Sequence, residues 1–477
     1  MEDDQAGDES SYSVSPLVIP GGFPFSDYEK TEALADNLEA QFLSVTDPSL
    51  PACIEKVDVA LTSYLMTPAT EHKLTKPGDG QEAFRVVKVG QVPSPNGILD
   101  MALQQLPQRA VSLLVLIFNA ILVTHHFPTL WKHARVILIH KPGKDPALPS
   151  SYRLISLLDT IGKLFEKIIL SRILHEVNVR GLLRNEHFGF RPRHSTPLQL
   201  ACLVERIARK FGEKGLTGAV FLDVAKAFDT VWIDGLLPKL TLINFPLYIV
   251  HTIFSYLRGR TFEASFQTAT SSRRVMRAGV AQGGLISPVL SSLYVNDIPS
   301  PSHHVDLAVY AGDTAIIVTS RNPTLLVSYL ESYLNVPQRW LCEWGIAISV
   351  SKCTAILFAR AGRHFIQPRP VTHLGEPIEW VDTTRYLGVT LDNGLTSSSH
   401  IDQVSKKTAQ RMGMLLPLLN RKSDVSVRNG ILLYKQLIRP MMDCACPSRR
   451  SAARSHVRRL QLLQFKCLRL ATGYPST

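Results

Sequence analysis

The chain has 477 residues, with 52 Lys and Arg against 40 Asp and Glu, a net charge of +12, and 45% hydrophobic residues. That length is enough for several subdomains with cores of their own, and the apolar content excludes a disordered chain. The basic balance favours a polyanionic partner. The seven Cys are scattered, which argues against a disulfide framework. Cys444 and Cys446 are too close in sequence to form a zinc pair. The acidic start, Met1-Glu2-Asp3-Asp4, does not resemble a signal peptide. The longest apolar run, Ala110 to Val123, is shorter than the ~20 residues a membrane span needs. The sequence therefore predicts an intracellular, soluble protein with no membrane partner.

In chain order, residues 1 to about 28 are polar and rich in Gly, Ser and Pro, and are expected to be loose. Leu34, Leu38 and Phe42 recur at helical spacing and predict a short amphipathic helix near 28–44. Residues 67–98 carry repeated Pro and Gly and read as a connector. Met101 to Val123 has a helical, mostly buried pattern. A strand follows over Arg135–Ile139, then a basic turn, Lys141-Pro142-Gly143-Lys144. Ile161 to Leu174 reads as an amphipathic helix with Leu164, Ile168 and Ile169 on one face. Ala219–Val224 is an apolar strand that ends on an acid, Asp223, and leads into a helical pattern over Ala225–Trp232. A Gly-rich turn around Gly279, Gly283 and Gly284 precedes a helix over Ser287–Val295.

Val309 to Val318 reads as strand, tight turn, strand, with Gly312-Asp313 as the turn and an acid at its tip. If this hairpin pairs with the Ala219–Val224 strand, Asp223 and Asp313 face one spot. Carboxylates brought together in this way repel unless a divalent cation lies between them. The helix Leu325–Trp340 is expected to kink or break at Pro337. Arg385 to Asp392 reads as a turn between strands. The end, about 400–470, is helical, with an apolar stripe of Val457, Leu460, Leu463, Cys467 and Leu470. Arg454, Arg458, Arg459, Lys466 and Arg469 are left for another surface.

Tyr310-Ala311-Gly312-Asp313 resembles the Tyr-X-Asp-Asp box of reverse transcriptases, with Gly312 where the first Asp belongs. Further words occur in the same order as in non-LTR retrotransposon reverse transcriptases, jockey-like members among them. They are Tyr152 to Leu158, Phe188-Gly189-Phe190-Arg191, Phe221-Leu222-Asp223 through Asp229, Ala278 to Gly283, and Tyr386-Leu387-Gly388-Val389. The resemblance covers roughly residues 100–470. Departures are Leu154 (usually Pro), His187 (usually Gln), Ala281 (usually Pro) and Gly312.

The resemblance implies an α+β right-hand polymerase with fingers, an antiparallel-sheet palm and a helical thumb. Residues 1–98 would form an N-terminal extension and linker with one short helix, 99–215 the fingers, 216–395 the palm and 396–477 the thumb. The family's usual endonuclease would need on the order of 200 residues, so the chain is expected to be a polymerase fragment or the product of a truncated element. The implied reaction is RNA-templated extension of a DNA primer by deoxynucleoside triphosphates with two Mg²⁺ ions, and the implied localisation is nuclear.

Asp223 and Asp313 would be the catalytic metal ligands; a helix N-cap is the plain alternative for Asp223. Lys141, Arg153, Phe228, Gln282 and Lys352 would contact the nucleotide. Lys141 and Arg153 would meet its phosphates, Phe228 would exclude a ribose 2′-hydroxyl, and Lys352 would lie near the leaving pyrophosphate. Arg191, Gly283 and the Tyr386-Leu387-Gly388 turn would contact nucleic acid. A solvated basic surface is the alternative for the cations, and core packing the alternative for Phe228. With Gly312 lacking a carboxylate, the reaction is expected to be impaired; the alternative is a non-catalytic remnant that only binds nucleic acid.

Overall fold

A computed structural model describes residues 26–43, 51–69, 72–85, 96–213, 215–224, 227–360, 366–419, 423–443 and 452–472. The first half of the chain runs through α1 (Asp27–Gln41), α2 (Pro51–Met66), α3 (Pro77–Arg85), α4 (Asp100–Gln104), α5 (Gln108–Thr124), β1 (His133–His140), β2 (Tyr152–Leu158), α6 (Thr160–Val179), α7 (Thr196–Gly212) and β3 (Leu216–Asp223). Next come α8 (Ile233–Leu242), α9 (Leu247–Leu257), β4 (Arg260–Phe266), β5 (Ala269–Thr270), β6 (Arg274–Met276) and α10 (Ser287–Tyr294). The remainder is β7 (Val305–Tyr310), β8 (Asp313–Ser320), α11 (Pro323–Glu343), β9 (Thr354–Phe358), β10 (Val371–His373), β11 (Glu376–Ile378), β12 (Thr383–Tyr386), β13 (Val389–Asp392), α12 (Ser398–Leu419), α13 (Val427–Leu433), α14 (Arg439–Asp443) and α15 (Arg454–Thr472). Helices and sheets are thus mixed along the chain, an α+β composition.

The chain divides into two units. The first comprises residues 1–183, 226–294 and 343–345. Its sheet has the order β2-β1-β4-β5, with β6 also on β4; β1 and β4 are parallel and the other pairs antiparallel. The predicted helix around Leu34, Leu38 and Phe42 is α1. It starts on a capping box between Ser26 and Glu29 and buries those three side chains against Val136, Phe262 and Ala264. Arg274 fixes its outer face through Glu32 and Asp36, each at 2.8 Å.

Three helices, α1 to α3, stand where one was expected. Gly80 is helical, its amide donating to the Lys76 carbonyl at 3.2 Å, and buried, where a Cβ would lie 2.4 Å from Val115 of α5. Part of the predicted 67–98 connector is therefore α3, while residues 86–95 lie outside the described ones, as do 1–25 and the Cys444–Cys446 pair. The Met101–Val123 pattern divides at Pro107 into α4 and α5, and Leu113, Leu116 and Val123 are exposed where burial was expected.

The second unit comprises residues 184–225, 295–342 and 346–477. At its centre is an antiparallel sheet of order β7-β8-β3-β9. β3 is buried along its length because both faces are covered. Alternation sends Val220 and Leu222 to one face, against Leu326, Leu330 and Leu334 of α11. Ala219 and Phe221 go to the other face, against Leu200, Leu203 and Ile207 of α7 and the β12–β13 hairpin. α11 runs unbroken through Pro337, against expectation. A proline inside a helix costs about 3 kcal/mol; here Pro337 is itself buried, and burial of Leu326, Leu330, Leu334 and Trp340 along the same helix offsets that cost. α12 to α15 carry a separate small core with Leu415, Leu419, Tyr434, Ile438 and Cys467. No helix among the described residues is long and apolar enough to cross a membrane.

Candidate active site

β3 and β8 pair antiparallel in a register that sets Asp223 directly opposite Asp313. Directly opposed residues share a face of the sheet, with Cβ atoms about 5 Å apart. Here it is the face of Phe221, Ala315 and Ile317, covered by α7 and the β12–β13 hairpin. Like charges so placed destabilise the strand pair. Partial burial first, and the charge of Asp223 second, raise the Asp313 carboxyl above the ordinary carboxylate range. Lys352 brings its ammonium to 3.4 Å from Asp223, but that pair is largely in solvent and contributes little stability.

The turn differs from the predicted one by a residue. Tyr310 pairs with Asp313, so the two-residue loop is Ala311-Gly312, and Asp313 is the first residue of β8 rather than the tip of the turn. The positive φ falls on Ala311, at 54°, and not on Gly312. An L-residue at such an angle costs on the order of 1 kcal/mol. The Gly312 carbonyl accepts from the Val224 amide at 3.3 Å, which ties the loop to the end of the strand that carries Asp223.

Among the described residues, no other acid completes the pair. Asp306 lies opposite Ile317, down the sheet, and is engaged by Arg206 at 3.3 Å. Among the described residues, no group of three or more His, Cys, Asp or Glu is placed to hold a metal. Two opposed carboxylates still suit Mg²⁺, which takes oxygen ligands and is commonly held by one or two carboxylates together with substrate phosphates. The Asp313 carboxyl is raised mainly by burial; a cation between the two would relieve the smaller share that comes from Asp223.

In the same unit, the β12–β13 hairpin turns through Leu387 (φ 47°) and Gly388 (φ 84°), where the primer-grip resemblance lies. Only the loop is available to a ligand. Tyr386 is 3% exposed and packs on Phe221 at 4.9 Å, so its side chain belongs to the core of this unit. Burial pushes the Tyr386 hydroxyl up, with Gln199 and Asp313 nearby. Gln199, 2% exposed, carried no signal in the sequence beyond its helical setting. Arg191 donates to the Arg184 carbonyl at 3.1 Å and so braces its own turn.

The other predicted residues belong to the first unit. Arg153 is exposed on β2, opposite Ile139. The Lys141 ammonium donates to the Ser150 carbonyl at 2.8 Å and closes the 141–150 loop. Phe228 is half-buried. The predicted helix over Ala225–Trp232 is not formed: 227–230 are turns, α8 begins at Ile233, and 225 and 226 lie outside the described residues. These turns hold the Gly-rich loop, because Gly279 donates to the Val231 carbonyl and Val280 to that of Phe228. Gln282 spends its amide on both oxygens of buried Asp229, at 2.8 and 2.9 Å, while its carbonyl accepts from Ser156 of β2. A Cβ at Gly283 would meet the Ser156 carbonyl at 2.4 Å, and its φ of 133° also demands glycine.

The second unit thus sets one acid at the end of each of two adjacent strands, with a tight hairpin leading into one of them. Residues 139–391 match the model of the reverse transcriptase (RNA-dependent DNA polymerase) family, and the chain belongs to that family, with its relatives among non-LTR retrotransposons. It is 33% identical over 468 residues to a probable RNA-directed DNA polymerase from transposon BS of Drosophila melanogaster, covering 96% of this chain and 51% of that protein. It is 32% identical over 464 residues to the RNA-directed DNA polymerase from mobile element jockey of the same fly, covering 95% and 50%. With the corresponding protein of the X-element it shares 34% over 387 residues, 80% of this chain and 42% of that one. The chain thus spans about half the length of the curated relatives it matches. Reverse transcriptases use divalent metal ions and act on nucleic acid.

Proposed function

We propose that the chain is the polymerase part of a non-LTR retrotransposon reverse transcriptase whose metal site is reduced to two carboxylates, so that it binds RNA template and DNA primer but extends the primer slowly or not at all. The reading rests on one observation: Asp223 and Asp313 oppose each other at the ends of β3 and β8, with a glycine in the adjoining loop. On the family resemblance, residues 99–215 are assigned as fingers, 216–395 as palm and 396–477 as thumb. The site is nuclear when the element is functional.

Asp223 and Asp313 would hold Mg²⁺, which would supply activation of the primer 3′-hydroxyl and charge neutralisation at the leaving pyrophosphate. Lys352, beside Asp223, is the cation nearest that pair and would neutralise charge on the pyrophosphate. In the first unit, the resemblance makes Arg153, with its fork of donors, and Lys141 the candidate triphosphate contacts. Phe228 lies against the sugar and rejects a 2′-hydroxyl. Gln282 is held in place by Asp229 and Gly283 rests on the Ser156 carbonyl, and by the resemblance this loop would lie beside the template base pair. Leu387-Gly388 and Arg191 contact the strands.

Loss of one preorganised charge contact costs about 10²–10³ in rate, and loss of a shared metal ligand costs more. Primer extension on an RNA template with Mg²⁺ tests this directly, parent against Gly312→Asp. The parent gives little or no product and the variant extends. The restored carboxylate also crowds two others, so without metal the variant is less stable, and it gains more stability from Mg²⁺ than the parent does. Efficient extension by the parent would show that two carboxylates suffice.

A further inference from the structure

The segment Glu186–Phe188 runs along β7 as a short parallel partner. Val309 donates to the Glu186 carbonyl at 2.9 Å, Phe188 donates to the Val309 carbonyl at 2.9 Å, and His187 bridges Val309. Immediately after it, Gly189 lies under the hairpin loop. A Cβ there would be 2.4 Å from the Ala311 amide nitrogen, 3.1 Å from the Tyr310 carbonyl carbon and 3.2 Å from the Ala311 Cα. All three are backbone atoms, which cannot rotate away as a side chain can. Ala311 already sits at φ 54°, so the loop has little backbone freedom with which to yield. Two residues further on is Asp313, and the Gly312 carbonyl is the acceptor that ties the loop to Val224, next to Asp223.

We propose that Gly189 is a positioning residue: its bare Cα is the seat on which the Tyr310–Ala311 peptide rests, and this seat sets the separation of Asp223 and Asp313. The proposal rests on the polymerase reading for its meaning, but its geometry does not depend on activity. Gly189 touches neither nucleotide nor metal and acts through the hairpin. Its sequence signal is a glycine between two aromatic residues, Phe188 and Phe190, which the family resemblance alone would place at the template.

The test is amide hydrogen exchange on the full chain, read at Val224, whose N–H donates to Gly312. Gly189→Ala should speed Val224 exchange at least ~10-fold, about 1.4 kcal/mol, and leave Val220 in the middle of β3 unchanged. Ala311→Gly in addition, which frees the loop to tilt, should recover much of the protection; a general packing defect would not be rescued in this way. Mn²⁺ affinity, followed by its electron spin resonance, should fall in Gly189→Ala and return in the double variant. Unchanged Val224 exchange in Gly189→Ala overturns the proposal, as does a double variant no better protected than the single one. If Gly189→Ala does not fold, the proposal requires the double variant to fold, and failure of both overturns it. A parent that binds no Mn²⁺ refutes the metal-site reading above while the exchange result still decides the role of Gly189.

Discussion

His187 stands where the family usually has Gln, and the chain buries it to 2% exposure beside Val309, with its Nε2 unpartnered. Burial above all, then the charges of Arg191 and Arg184, lowers its pKa from 6.5 to about 4, against an opposing effect of the Gly189 backbone. The side chain is therefore neutral in the folded chain at pH 7. Because the folded value is depressed, the unfolded state binds more protons between the two values. The fold is fully stable with respect to this group above about 6.5 and loses stability as pH falls toward 4. Going from pH 7 to pH 5, the loss amounts to about 2 kcal/mol. His187→Gln replaces the imidazole with a group that does not titrate; Arg184, Arg191 and Glu186, the charged neighbours, remain in both proteins. Native-state hydrogen exchange at Phe188 and Val309, corrected for intrinsic rates, gives the free energy of opening this segment at each pH. The parent should lose about 2 kcal/mol more than the variant over that interval. Equal losses in the two proteins would mean that the imidazole is solvated or paired, and that its burial under β7 has no electrostatic consequence.

Glu166 is 2% exposed, accepts from the Leu285 amide at 2.5 Å and faces Arg260, itself 1% exposed. Glu166→Ala leaves the Leu285 amide without its acceptor and should cost about 1–3 kcal/mol in denaturant unfolding; no measurable loss would mean that water takes the place of the carboxylate. In a Gly312→Asp background, Phe228→Ala should raise ribonucleotide incorporation while deoxynucleotide use stays measurable, and an unchanged ratio would assign Phe228 to packing. Affinity for a primer–template duplex should fall steeply between low and physiological salt, because +12 of net charge implies phosphate contacts that release counterions; a flat salt profile contradicts that reading.

β3 and β8 were legible because an uninterrupted apolar run between turn signals has few other meanings, and an acid at the end of each suggested their pairing. The loop was misplaced by one residue for a physical reason. Gly-Asp is a common hairpin turn, but here Tyr310 and Asp313 close the ladder and Ala311, not a glycine, takes the positive φ. The helix expected over Ala225–Trp232 failed differently. The apolar spacing of Phe228, Val231 and Trp232 is real, and it serves burial against the Gly279–Val280 loop, to which that stretch gives its carbonyls. Periodicity reports which side chains are buried, and only indirectly the backbone that buries them. α3 was hidden by its glycines, of which Gly80 leaves room for Val115 of α5, a contact some 35 residues away that no local pattern encodes. Gln282 and Tyr386 were readable as motif members, but their engagement with Asp229 and Phe221 depends on long-range packing.

The hairpin separates two demands that the sequence seemed to combine at Gly312. A glycine at a tight turn is ordinarily explained by conformation, which would make it hard to replace. Here the conformational load is on Ala311, with its positive φ, and on Gly189, whose missing side chain leaves room for the loop. Gly312 does not carry the positive φ, and its carbonyl, a group every residue has, makes the bond to Val224. Its backbone angle therefore does not demand glycine, and Asp223 and Asp313 stand opposed beside it. A carboxylate at position 312 adds charge to that pair, so its effect depends on the cation, whereas a side chain at Gly189 would first have to overcome the geometry of the loop.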